Sequence, residues 1–183
     1  MRDPVPDPDS DVPRPRLPPA ERECETRPRM NERPRKFLVV VDKTPECRVA
    51  VRFATRRAQH TGGRVTLLCV EEPGEFQQWR GVEEIMREEA RQEAEGLIHA
   101  AARSVNELSG IISELVIVRG HATQCLLDLI RSDHDISILV LAAGTATEGP
   151  GPLVSTFVAT GQNPIPVTIV PGGLSDDQID ALA

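Results

Sequence analysis

The residues with most chemistry to offer lie in one stretch, Ala143-Gly144-Thr145-Ala146-Thr147-Glu148-Gly149-Pro150-Gly151-Pro152. Gly144, Gly149 and Gly151 let backbone N–H groups approach a ligand closely. A helix starting at Pro152 would aim its free N–H groups and partial positive charge at the same point. Ser155 adds a hydroxyl in the first turn of that helix. These are the parts of a phosphate cradle. The same residues equally make a proline-stiffened link between strand and helix. Glu148, and the lack of Lys or Arg in the stretch, weigh against an anion site. The physics of the loop leaves both readings open.

Other candidate groups are scattered. Asp42 closes an apolar run, where it could face a ligand or simply turn the chain. His60, His99, His121 and His134 are far apart in sequence; His121 follows a strand, on the side where a ligand would bind. Cys24, Cys47, Cys69 and Cys125 form no C-x-x-C pair and no zinc-ligand spacing, so reduced, partly buried thiols are expected. Cys47 falls in the first turn of a helix, a position that can lower a thiol pKa. Residues 43–46 are Lys-Thr-Pro-Glu, which excludes G-x-G-x-x-G after the first strand. No Gly is followed by Lys, so there is no P-loop, and no G-x-S-x-G elbow occurs. Nothing assembles an acid–base pair or an activated nucleophile.

These groups need a frame, and the apolar patterning supplies one. Phe37-Leu38-Val39-Val40-Val41 is a continuous run of the kind buried on both faces of a parallel sheet. Thr44 and Pro45 read as N-cap and first residue of a helix carrying Val49, Ala50, Phe53, Ala54 and Ala58, stopped by Gly62-Gly63. Residues 64–70, 114–119, 136–141 and 167–170 read as further strands. Between them lie a long helix with Val82, Ile85, Met86, Ala90, Ala94, Leu97, Ile98 and Ala101 on one face, a short one around Leu126, and one over 152–160. The loop of residues 71–81 holds Phe76 and Trp79, which suit a lid over the sheet end or an anchor for a partner. Strict β-α alternation implies an α/β fold, a doubly wound five-stranded parallel sheet with helices on both faces. Ligands of such sheets bind beyond the carboxyl ends of the strands, here Asp42, Val70, Gly120 and the loop after Leu141.

Composition sets the outer limits. The chain has 183 residues and a formal charge of −7, which disfavours a nucleic-acid partner. Its apolar runs fall well short of the roughly 20 residues that span a bilayer. No apolar leader follows Met1, so the expected compartment is the cytoplasm. Residues 1–35 hold nine of the 16 prolines and eight Arg against eight acids, the composition of a disordered Pro/Arg-rich tail. Pro15 and Pro18 have P-x-x-P spacing, and Met30 is a candidate start of translation. Residues 36–173 form the expected folded domain, and 174–183 a short acidic C-terminal tail.

The arrangement resembles the universal stress protein family over nearly all of the folded part. The resemblance is carried by Val41-Asp42 with Thr44-Pro45, Val70-Glu71-Glu72-Pro73, Arg119-Gly120, the strand running into Gly144, and Val154-Ser155 followed by Pro166-Val167-Thr168-Ile169-Val170-Pro171. It implies the adenine nucleotide alpha hydrolase-like fold, with strand order 3-2-1-4-5. It also implies a homodimer paired through the last strand, Val167, Thr168, Ile169 and Val170. One branch of the family binds ATP, with Mg²⁺, through G-x-x-G-x9-G-[ST]. By that resemblance Asp42, Thr44, Val70, Gly120, Gly144, Gly149, Gly151 and Ser155 form the candidate nucleotide site. The chain departs from the motif: Thr147 replaces the second glycine, Pro152-Leu153 stands where Gly-Ser is expected, and the loop is shorter. The expectation is therefore a non-catalytic stress-response regulator acting as a dimer through a protein partner. The alternative is an ATP-binding sensor or weak ATPase on the same fold.

Overall fold

The computed structural model describes residues 34–72, 80–145, 149–160 and 163–183, and not the side chains of 80–83 and 160. The tail before residue 34, with Cys24, the P-x-x-P segment and Met30, therefore lies outside the described residues, as do Phe76, Trp79, Thr147 and Glu148.

The elements run β1 (Lys36–Val41), α1 (Cys47–Thr61), β2 (Arg64–Glu71), α2 (Arg80–Ser109), β3 (Glu114–Arg119), α3 (Ala122–Ser132), β4 (Ile136–Ala143), α4 (Pro152–Thr160), β5 (Val167–Pro171) and α5 (Asp176–Leu182). All pairings are parallel and the sheet order is β3-β2-β1-β4-β5, as the alternation and the family resemblance imply.

The period-2 geometry of a strand explains the unbroken apolar runs. In β1, Phe37, Val39 and Val41 point into a cluster with Ala50, Ala54 and Ala58 of α1, Ile98 and Val105 of α2, and Ile179 of α5. Leu38 points the other way, into a cluster with Leu126 and Ile130 of α3 and Val154 and Phe157 of α4. A polar residue at any of these positions would be buried without water. One buried residue of β1 is charged: Lys36, 7% exposed, at the opposite end of the sheet from the candidate site. Its ammonium meets the carboxylates of Asp133 and Glu114, and Glu114 also accepts from the Thr66 hydroxyl at 3.1 Å.

Three expectations are corrected. Helix α1 begins at Cys47, with Glu46 as N-cap, not at Thr44-Pro45. Asp42 is the reason: its carboxylate accepts from the Thr44 N–H at 2.9 Å and the Thr44 hydroxyl at 2.5 Å, making a turn that takes Thr44 out of the capping role. Among its described residues, the apolar face of α2 is buried only from Ala94 onward; Ile85 and Met86 are 62% and 42% exposed.

The third correction concerns residues 174–183, which are not a tail. Ser175 and Gln178 form a capping box that opens α5, and Ile179 is fully buried. Asp180 accepts from the guanidinium groups of Arg52 and Arg56 at 2.6 to 3.0 Å, and Arg48 reaches Asp176 at 3.0 Å. These acids are the partners of basic residues on successive turns of α1, which is why the segment is acidic.

The Arg56 and Arg52 guanidinium groups hold the Asp180 carboxyl well below the usual carboxylate range. A depressed folded-state pKa stabilises the fold above the unfolded value, near 3.9, and that contribution fades as pH falls through the folded value. Between about pH 5 and pH 2 the melting temperature should therefore fall more steeply in the parent than in Asp180→Asn, which has no such proton to gain. Parallel acid profiles for the two proteins would refute the clamp.

Candidate functional site

The sheet order turns at β1, whose neighbours are β2 and β4. Beyond the carboxyl ends of those three strands lie two adjoining clefts. The larger, about 480 Å³, is walled by Val40, Asp42, Lys43, Val70, Glu71 and Glu72, with Glu93 of α2 and Pro152 and Leu153 of α4. The smaller, about 130 Å³, lies between Asp42, Thr44 and Glu46 on one side and Gly144, Gly151 and Pro152 on the other.

Of the site residues expected from sequence, Asp42, Thr44, Val70, Gly144 and Gly151 line these clefts. Gly120, Gly149 and Ser155 are not among their walls. Gly120 donates to the Glu71 carbonyl at 3.0 Å, tying the end of β3 to the end of β2. Ser155 is exposed, and its N–H is spent on the Gly151 carbonyl at 3.0 Å, the first internal bond of α4. His121 is the N-cap of α3, with no side-chain capping bond.

Among the described residues of the loop, the donors of Gly144 and Thr145 are engaged within the protein. The Gly144 N–H donates to the Pro150 carbonyl at 3.2 Å, drawing the two ends of the loop together. The Thr145 N–H and hydroxyl both donate to Glu46 Oε1, at 3.1 and 3.0 Å. Pro152, at the first position of α4, has no N–H to offer. The side chains around the clefts are acidic: Asp42, Glu46, Glu71, Glu72 and Glu93. Against them stands Lys43, whose ammonium pairs with Glu93 at 2.7 Å, and among the described residues no Arg lines either cleft.

Glu46 is the residue that sequence reasoning missed. Its carboxyl is held below the ordinary Glu value, chiefly by the Thr145 N–H, then by its own N–H and the Thr145 hydroxyl. Donor and acceptor are 99 positions apart, and no local motif announces such a pair. Cys47 lines the smaller cleft but does not gain reactivity from the helix start. Burial pushes its thiol up to about 11, and the Sγ rests 3.8 Å from the Val40 carbonyl, so it stays protonated at neutral pH. Burial also raises the Cys69 thiol, and the three described cysteines are free. No group of three or more His, Cys, Asp or Glu among the described residues could hold a metal ion. No described helix is long and apolar enough to cross a membrane.

A parallel sheet of order 3-2-1-4-5 with clefts at its switch point defines a doubly wound α/β protein. The model of the universal stress protein family matches residues 34–171, and the chain belongs to that family. Among solved structures it is similar to the universal stress protein UspA from Lactobacillus plantarum, with 20% identity and a TM-score of 0.64 over 76% of this chain and 99% of that one. It is also similar to a family member from Arabidopsis thaliana with AMP bound, with 15% identity and a TM-score of 0.53 over 75% of this chain and 92% of that one. A third is a universal stress protein in complex with cAMP, at 16% identity and a TM-score of 0.52, covering 74% and 96% of the two chains. No curated protein matches the chain.

Proposed function

We propose that this protein is a non-catalytic regulatory member of its family, working as a dimer through protein contacts and not as an ATPase. The observation that carries the reading is the engagement of the Gly144 and Thr145 donors by the protein itself. The Thr145 donors are bound to Glu46, the Gly144 donor to Pro150, and Pro152 brings none. The surrounding carboxylates would repel a triphosphate at close range. These residues do not fit ATP with Mg²⁺. Dimerisation through Val167, Thr168, Ile169 and Val170 is supported by the position of β5 at the sheet edge, where Ile169 is 39% exposed.

A second reading, an adenine-nucleotide sensor, draws on the 480 Å³ cleft beside Asp42 and Val70 and on the AMP and cAMP held by two similar structures. Thermal melts of the full chain with ATP, ADP, AMP and cAMP, with and without Mg²⁺, separate the two. A ligand at about 100 times its dissociation constant adds roughly 2.7 kcal/mol, a shift of about 5 to 10 °C for a chain this size. The expected result is no shift at millimolar nucleotide. A shift of that size, abolished by Gly144→Asp, would establish the sensor instead.

A further inference from the structure

The acids around the clefts differ in what they touch. Asp42 turns back on Thr44, and Glu93 pairs with Lys43. Glu46 instead reaches across to Thr145, at the start of the β4–α4 loop. One of its oxygens receives both Thr145 donors, a backbone N–H and a hydroxyl. Convergent backbone and hydroxyl donors on a single anionic oxygen are the coordination that a glycine-bearing loop offers to a phosphate oxygen.

The contact is built from three separate segments of chain. Glu46 comes from the N-cap of α1 and Thr145 from the loop. The third is Gly172, just past β5, whose N–H donates to the Ala143 carbonyl at 3.0 Å. A Cβ at 172 would lie 2.3 Å from Glu46 Cγ and 2.5 Å from the Ala143 oxygen. The missing side chain at 172 is thus the space in which the Glu46 stem lies. The hydrogen bonds hold the carboxyl below the ordinary Glu value.

We propose that Glu46 is an intramolecular anion seated on Thr145, an autoinhibitory contact occupying the donors that a phosphate-bearing ligand would need. It rests on the reading that the parent chain does not bind nucleotide, and it names the residue responsible. Two properties follow. The Thr145 amide is protected while Glu46 is in place. Removing the carboxylate frees the two Thr145 donors and takes one negative charge from the cleft wall, so those donors gain affinity for phosphate.

The test uses the full chain as parent, Glu46→Ala and Glu46→Gln. Melts are recorded against inorganic pyrophosphate and ATP, and amide exchange is followed at Thr145. The parent should show no anion-dependent shift and a protected Thr145 amide. Glu46→Ala should exchange that amide at least about tenfold faster and gain about 3 °C or more with millimolar pyrophosphate. Glu46→Gln keeps the size and an acceptor oxygen without the charge, so it should stay folded and show a smaller gain. If neither folded variant responds to anion while the parent is also silent, the autoinhibitory role is overturned and the non-binding reading stands. If the parent itself shifts with ATP, the reading beneath it fails. A Thr145 amide that exchanges freely in the parent overturns the contact outright.

Discussion

Truncating Ile179 to Ala should lower the melting temperature by about 5 to 15 °C, from a loss of about 2–5 kcal/mol. The side chain is fully buried, and it is the buried hydrophobic residue of α5 in the cluster shared with α1, α2 and the sheet. Its removal leaves a cavity that the surrounding strands cannot close. Leu182 provides the control within the same helix: it is 62% exposed, and Leu182→Ala should change stability by no more than about 0.5 kcal/mol. Equal effects at the two positions would mean that α5 is not docked as described.

Gly172→Ala should cost about 1–3 kcal/mol, from one added methyl group. The clash falls on a backbone oxygen as well as on the Glu46 stem, so rotating one side chain does not relieve it. Relief requires the turn after β5 to move away from β4, or Glu46 to leave its place. Its neighbour separates this from any general cost of replacing a glycine. A Cβ on Gly173 would meet only Thr145 Cγ2, at 3.7 Å, an ordinary contact. Gly173→Ala should therefore melt within about 2 °C of the parent. Denaturant melts of the two variants side by side decide the matter; indistinguishable midpoints would show that the close approach at 172 is not real.

What the sequence disclosed follows from where the determining partners sit. Strands such as Phe37 to Val41 are legible because burial on both faces leaves an unbroken apolar run. The alternation of such runs with helical stretches points to a parallel sheet, and the family resemblance gives its order. Long-range pairs were not legible. Asp176 and Asp180 read as tail because the arginines that need them lie on α1, more than 120 residues earlier. The Ser175 and Gln178 spacing of a capping box is the local signal that marks α5. Thr44 misled for a local reason: Asp42, two residues before it, competes for the same hydrogen bonds. At the site, the sequence marked Gly144 and Gly151 but not the carboxylate that faces their loop, because nothing in the composition of residues 43–46 says which way Glu46 points.

The position of β1 at the middle of the sheet has a consequence during synthesis. On a ribosome the β1-α1-β2-α2-β3 portion emerges first and can pair β1 with β2, an early and short-range contact. The other flank of β1 is completed by β4, whose Ile136 pairs with Lys36 a hundred positions later. At about 5–20 residues per second, that flank stays unsatisfied for roughly 5 to 20 seconds in each nascent chain. During that interval a strand with apolar side chains on both faces presents an open backbone ladder, with nothing of its own yet made to cover it. The nascent chain at this stage, and not the finished fold, is where a holdase chaperone would have most to grip.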